Sequence, residues 1–233
     1  MKILYSDEHI LVINKPAGLS VLPEGWDKDA AYLVKMLEEQ FTNPSTGFRQ
    51  AQPDSSGRRI WVVHRIDKIT SGIIVFALNA EAHRSLNIQF EKHQVEKKYH
   101  ALVNDVPKWS EKITKFPLRV NVGHKHRTMV DNRNGIRSET RFKILKQYQA
   151  SALVEAMPMT GRTHQIRVHA YALGHPLLGD VLYSAPESKI INRPALHAFS
   201  LTFTHPVTSN KVTFQADYPN DFQTAVETSR RFG

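Results

Sequence analysis

The sequence predicts an α+β fold in which strands outnumber helices, and three observations carry that prediction. Short apolar runs rich in β-branched residues recur, as in Ile10-Leu11-Val12-Ile13 and Gly72-Ile73-Ile74-Val75-Phe76-Ala77-Leu78; runs of this length and composition are strand-like. Alternating residues around Phe142 to Leu145 and Ala152 to Ala156 form an antiparallel pair. Residues 29–41, 79–92, 165–173 and 221–232 instead have helical character. A strand-rich chain with three or four helices belongs to the α+β class.

Ile3-Leu4-Tyr5 and Ile10 to Ile13 are two short strands, with the turn-forming Ser6-Asp7-Glu8-His9 between them. Asn14-Lys15-Pro16-Ala17-Gly18 follows. Pro16 holds Lys15 extended and Gly18 permits a sharp turn. A lysine on so stiff a loop suits phosphate contact, although solvated loop lysines are commoner in general. Residues 29–41 make an amphipathic helix, with Asp29 as N-cap or first-turn acid and Tyr32, Leu33, Met36, Leu37 and Phe41 as its core face. Residues 42–60 lack periodicity and form a long loop, functional or mobile; its Arg49, Arg58 and Arg59 suit RNA or solvent equally.

His64, Arg65 and Asp67 stand just ahead of the Gly72 to Leu78 strand, separated from it by the polar turn Lys68 to Ser71. An Asp held rigidly near a strand end serves as nucleophile or base. An Arg–Asp pair that only fixes a loop is the competing explanation. Asn79 caps a helix running to Lys92, with Leu86 and Phe90 as an i,i+4 apolar pair and Ala82 and Ile88 nearby. Val95 to Val103 turns from charged to strand-like, which makes Tyr99 a half-buried strand aromatic.

Residues 104–140 mix strand and turn character with many charges, including the basic cluster His124-Lys125-His126-Arg127. His124 and His126 alternate in a polar stretch without Cys or paired carboxylates, so no metal site is expected there. Thr160-Gly161 forms a turn before the helix Gln165 to Leu173. His164 and His169 are five apart, which is not the i,i+4 spacing of a helical metal pair.

At 233 residues the chain is within single-domain range and long enough to bury a substantial core. Net charge is +9 and the sequence pI is near 9.7, which points to a polyanionic partner, most often nucleic acid. Aromatics at 9% announce no single-strand stacking platform. There is no apolar run of membrane-spanning length, and Met1 to Glu8 lacks the apolar stretch of a signal peptide. Cys is absent, which excludes disulfides and thiolate chemistry and is compatible with the cytosol.

His64-Arg65-Ile66-Asp67-Lys68-Ile69-Thr70-Ser71-Gly72 resembles the signature of the RluA-type pseudouridine synthases, in which His-Arg-Leu-Asp is followed by two variable residues and Thr-Ser-Gly. Ile66 in place of Leu is the one departure. Further segments are similar to the same family in the same order. They are Asn14-Lys15-Pro16-Ala17-Gly18 after a strand, Lys97-x-Tyr99-x-Ala101, and Thr160-Gly161-Arg162-Thr163-His164-Gln165-Ile166-Arg167-Val168-His169. After them come Leu173-Gly174-His175-Pro176-Leu177-Leu178-Gly179-Asp180, Leu196-His197-Ala198 and His205-Pro206. The resemblance runs from about Ile3 to Pro219.

The resemblance implies a long mixed, mostly antiparallel sheet with flanking helices and a central active-site cleft. It implies one catalytic domain over residues 1–233, without the extra N-terminal RNA-binding domain of many relatives, and a monomer. It makes Asp67 the essential carboxylate, Arg162 its ion-pair partner and Tyr99 a catalytic residue that stacks near the target base and is available to move a proton during the isomerisation. Arg65 would occupy the space the base vacates or prop the remaining stem, and the 173–180 segment would be a structural turn. Lys97, Lys98, Arg167 and the 124–127 cluster would meet phosphates, with Lys15, His64 and His164 beside them. The reaction rearranges atoms without net gain or loss, so no cofactor is implied. The implied partner is structured RNA, ribosomal or transfer, met in the cytoplasm. A catalytically silent RNA-binding or ribosome assembly factor on the same fold is the alternative. A retaining glycosidase requires a second acid near Asp67, and a metal-dependent nuclease requires a carboxylate cluster; no motif supplies either.

Overall fold

The structure is a computed structural model that describes residues 1–23, 31–42, 59–123 and 127–231. In chain order its strands are β1 (Lys2–Ser6), β2 (Ile10–Lys15), β3 (Trp61–Val62), β4 (Ser71–Ala77), β5 (Glu96–Asn104), β6 (Glu111–Thr114), β7 (Leu118–Val122), β8 (Arg127–Val130), β9 (Thr140–Gln147), β10 (Ser151–Pro158), β11 (Leu196–Thr204) and β12 (Lys211–Gln215). Its helices are α1 (Leu33–Thr42), α2 (Ala80–Glu91), α3 (Gln165–Ala172) and α4 (Asn220–Arg231), with one 3-10 turn at Val181–Tyr183. This is an α+β chain. It forms two compact units, Met1–Val95 with Ser200–Asp217, and Glu96–Phe199 with Tyr218–Gly233.

In the first unit β2 pairs with β1 and β4, β3 pairs with β4, and β12 pairs with β11, all antiparallel. The register sets Val12 against Val75 and Ile13 against Ile74. Successive strand residues point to opposite faces, so a strand buried on both faces must be apolar throughout. Ile10, Val12, Ile73 and Val75 therefore share one cluster with Ala82 and Leu86 of α2. Leu11, Ile13, Ile74 and Phe76 share the other with Leu33, Val34 and Leu37 of α1.

Both helices match their expected cores with one substitution each. Met36 is 40% exposed and Val34 takes the buried position, because the apolar stripe of α1 is centred on Leu33 and Leu37. Asp29 and the side chain of Phe41 lie outside the described residues, as does 43–58 of the expected long loop. In α2 the Asn79 side chain accepts the Ala82 N–H at 2.9 Å, an N-cap, while Ile88 is exposed rather than packed.

In the second unit β5, β10, β9 and β6 follow one another with antiparallel pairing, Tyr99 opposite Ala156. One face buries Ala101, Val103, Phe142, Val154 and Ala156 under Ile166 and Ala170 of α3, with Tyr99 packed at its margin. A separate cluster sets Leu102, Leu178 and Ala195 against Phe222 and Ala225 of α4. Arg193 ties that helix down by donating from Nε to an Asp221 carboxylate oxygen at 2.6 Å. β7 and β8 pair as a small antiparallel ribbon. Residues 124–126 of the basic cluster lie outside the described residues, and Arg127 begins β8.

Gly179 is a fixed point of this unit. Its φ is +74°, and a Cβ there would come within 2.3 Å of the Arg193 carbonyl oxygen and 2.8 Å of that of Ile191. Gly179→Ala combines left-handed backbone strain with an unavoidable backbone overlap. It is expected to destabilise the protein by roughly 2–5 kcal/mol, read as a lower urea midpoint with an unchanged slope. An unchanged midpoint would mean the 173–180 turn does not make this approach.

No helix among the described residues is long and apolar enough to cross a membrane.

Candidate active site

The expected residues are divided between the two units. In the first, Asp67 is half-buried in a tight turn closed by the Thr70 N–H donating to the Asp67 carbonyl at 3.0 Å. Ile66 before it and Thr70 and Ser71 after it are buried, so the chain is pinned on both sides of the carboxylate. The Lys68 carbonyl accepts from the Gly18 N–H at 2.8 Å and from the Lys15 ammonium at 3.1 Å. Gly18 makes its end of this contact at φ +86°, the turn expected of it.

Lys15 corrects the expectation of a phosphate contact. Its side chain is fully buried, and besides Lys68 its ammonium donates to the carbonyls of Pro16 and Leu19, each at 2.8 Å. The residue is an internal tether between the end of β2 and the Asp67 turn. Lys15→Met leaves buried carbonyls without a charged donor. It is expected to lower stability by about 3 kcal/mol and to slow catalysis, checked by chemical denaturation and single-turnover rates on the same preparation. Full activity in a destabilised Lys15→Met protein would separate the tether from the chemistry.

His64 is also more structural than expected. Its Nε2 accepts the Val75 N–H of β4 at 3.1 Å, and its ring stacks on Phe90 with centroids 4.5 Å apart. The accepting nitrogen must be unprotonated, so the imidazole here carries its hydrogen on Nδ1 if neutral. Arg65, between His64 and Ile66, is exposed. The pattern is alternate anchoring: His64 and Ile66 inward, Arg65 outward, Asp67 at the rim.

In the second unit Tyr99 and Lys97 lie on one side of β5, by strand alternation, while Lys98 and His100 lie on the other. Lys98 has Nζ 3.8 Å from a Glu155 carboxylate oxygen. Lys97 is half-buried, and desolvation holds its ammonium pKa below the usual lysine value.

The turn before α3 is built around Gln165. Its side-chain oxygen accepts from the Thr160 hydroxyl at 2.7 Å and the Arg162 N–H at 3.0 Å. Its amide nitrogen donates to the Glu139 carbonyl and the Thr140 hydroxyl, each at 2.9 Å. A buried amide satisfied in this way fixes the backbone from which the exposed Arg162 projects. His164 sits at φ +54°, with Nδ1 3.0 Å from the Tyr183 hydroxyl.

Arg167 corrects a second expectation of phosphate contact. Its guanidinium makes a bidentate pair with Asp180, both bonds 2.7 Å, at 2% and 1% side-chain exposure. It also lies over the Tyr183 ring, 5.0 Å from the centroid. Arg167 is thus a strut beneath the turn rather than a hand for RNA. Sequence reasoning did not find Tyr183, whose hydroxyl accepts the Thr128 N–H of β8 at 3.0 Å as well as meeting His164. The Gly179-Asp180-x-x-Tyr183 spacing was the available signal, and it has no meaning until Arg167 is known to point inward.

Among the described residues no group of three or more His, Asp or Glu side chains could hold a metal.

Comparison with known proteins adds the following. A family model described as RNA pseudouridylate synthase matches residues 9–172. Dual-specificity RNA pseudouridine synthase RluA of Escherichia coli is 38% identical over 223 residues, covering 94% of this chain and 93% of that protein. Ribosomal large subunit pseudouridine synthase D of Zymomonas mobilis is 35% identical over 231 residues, covering 96% and 71%. Among solved structures, human RNA pseudouridylate synthase domain containing 4 matches with a TM-score of 0.76 at 25% identity, over 98% of this chain and 93% of that one. Human RNA pseudouridylate synthase domain containing 1 matches with a TM-score of 0.73 at 27% identity, over 94% and 83%.

Proposed function

The chain belongs to the RNA pseudouridylate synthase family, an RNA isomerase family, and from that premise we propose that it converts particular uridines of ribosomal or transfer RNA to pseudouridine through Asp67. The observation that carries the assignment is the Asp67 turn. Half-buried Asp67 lies between buried Ile66 and buried Thr70, and the carbonyl of the next residue, Lys68, is held by Gly18 and Lys15 from a distant part of the sequence. Such positional control is needed for a group that must meet a sugar or base carbon at one geometry.

The reaction breaks the N1–C1′ bond, turns the uracil and rejoins it through C5. Asp67 acts at C1′, at uracil C6, or by stabilising a transient glycal. The target nucleotide must leave its stack to reach the carboxylate. Arg65 is exposed, which supports a role in filling the vacated space or propping the remaining stem. Tyr99 stacks near the base and is available to move a proton during the isomerisation, and Arg162 is the proposed ion-pair partner that aligns Asp67. Lys98, His164 and the positive surface implied by the +9 charge hold the phosphates, which sets affinity more than sequence choice.

The family match runs across both compact units, which supports treating the two as one catalytic domain. We place the protein in the cytoplasm, acting as a monomer without a cofactor.

The test is a map of pseudouridine across ribosomal and transfer RNA from cells lacking this protein, with and without the native chain restored. Loss of one or a few sites, recovered on restoration, names the substrate. An unchanged map would favour a silent RNA-binding role.

A further inference from the structure

Arg59 suits RNA and solvent equally by its sequence, and the chemistry at Asp67 makes no use of it. In the first unit it heads a row of flat side chains. Its guanidinium carbon lies over the Trp61 ring, 4.7 Å from the centroid. The Trp61 ring meets that of His83 on α2 at 4.9 Å, tilted by 42°. Nε2 of His83 is 3.0 Å from the side-chain nitrogen of Asn87. One turn further along α2, Phe90 stacks on His64. His83, Asn87 and Phe90 follow the i, i+4, i+7 spacing of one helix face.

The strand and the helix keep step. Residues 61 to 64, extended, cover about 10 Å, and so do residues 83 to 90 of a helix. Trp61 therefore meets α2 at one end of the row and His64 meets it at the other. The head of the row is fixed from behind. Ile60 is buried, and its N–H donates to a Glu38 carboxylate oxygen at 3.3 Å. Ile60 thus turns inward, and Arg59 and Trp61 leave the chain on the opposite side. Trp61 packs one edge on the cluster that holds Ile10 and Val12, yet it stays half-exposed, as do His83 and Asn87. Arg59 and its neighbour in the row's flank, Arg84, are exposed, and neither makes an ion pair among the described residues.

An indole, an imidazole, an amide and a guanidinium each offer a flat face to a nucleobase, and unpaired arginines suit phosphates. The exposed end of the row is cationic and not apolar, which fits a flat-faced polyanion better than a protein surface. Position fits as well. Six residues of chain lead from Trp61 to Asp67, so the two are at most about 21 Å apart, the length of about six stacked nucleotides.

Resting on the reading of this chain as an enzyme that acts on RNA, we propose that Arg59, Trp61, His83 and Asn87 form a stacking surface for unpaired nucleotides that flank the target uridine, with Arg84 on their phosphates. The surface holds bases by their faces, so it selects for single-stranded flanks and not for a base sequence.

The experiment measures binding of two probes, hexauridylate and a six-residue abasic ribose-phosphate strand, over a range of salt. It compares the native chain with Trp61→Leu, which keeps an apolar group on the core, and Arg59→Lys, which keeps the charge and loses the flat face. The native chain is expected to bind hexauridylate at least about 10-fold more tightly than the abasic strand. Each variant is expected to lose about 5- to 10-fold on hexauridylate and nothing measurable on the abasic strand, with the salt slope unchanged because no phosphate contact is lost. Equal losses on both probes would make these residues phosphate contacts and overturn the proposal. Native-like binding of hexauridylate by both variants would make the row structural and overturn it too. If Trp61→Leu does not fold, Arg59→Lys decides alone, since Arg59 is exposed. In parallel, the native chain is incubated with RNA from cells lacking it. Formation of pseudouridine there, with variants that bind normally, would sink the stacking surface and leave the enzyme reading standing. Absence of pseudouridine would sink the enzyme reading, and with it the place of the row beside a target uridine.

Discussion

Asp67→Asn is expected to reduce single-turnover formation of pseudouridine by roughly 10⁴-fold or more, the scale on which loss of an essential nucleophile acts. The carboxamide has nearly the same shape, so it fills the same space beside Ile66 and Thr70. It cannot attack a carbon or stabilise a developing cation as an anion does. The turn itself is held by backbone bonds from Thr70 and Gly18 and by the Lys15 ammonium, none of which needs the Asp67 side chain. The variant should therefore melt close to the native temperature and bind substrate RNA with similar affinity. Rate, melting temperature and affinity are measured together. Appreciable turnover in a well-folded Asn variant would remove Asp67 from the chemistry, whatever the resemblance of the motif.

The second large effect concerns stability. Asp180→Asn should cost about 3–5 kcal/mol, because it leaves the Arg167 guanidinium buried without its counter-charge. Both ends of this pair are essentially excluded from water, so salt should not screen it as it does surface pairs. The double replacement Arg167→Met with Asp180→Leu should recover much of the loss, since removing both charges also removes their desolvation cost. Urea titration of the two single variants and the double variant completes the cycle. A loss below about 1 kcal/mol for Asp180→Asn would place the pair in solvent and return Arg167 to the phosphate-binding set.

Strands buried on both faces were the most legible part of the chain, since Ile10 to Ile13 and Ile73 to Ala77 are apolar at every position. The Asn79 cap was legible because the N–H it accepts from, that of Ala82, lies three residues away in sequence. Lys15 and Arg167 were not legible for the opposite reason. Their partners, Lys68 and Asp180, lie 53 and 13 residues along the chain, and nothing local distinguishes a cation that turns inward from one that reaches for RNA. Met36 and Ile88 show the limit of helical periodicity: a residue at the margin of an apolar stripe packs or not according to the neighbouring element, which the helix sequence does not contain. The Asp67 motif was visible as a pattern, but its support by the Pro16–Leu19 segment came only with the fold.

The division of the chain has a consequence for synthesis. The first unit needs Ser200–Asp217 to complete it, and the second needs Tyr218–Gly233. Leu201, Phe203 and Ala216 belong to a core begun by Ile10 and Val12, while Phe222 and Ala225 close one begun by Leu102. Neither core can therefore finish before those distant segments have been translated, and the usual order in which an N-terminal unit folds ahead of the rest is unavailable. The nascent protein carries each apolar surface open until its closing segment emerges. Truncation after about Asp217 should then yield a chain that aggregates or recruits chaperones, not a shorter enzyme.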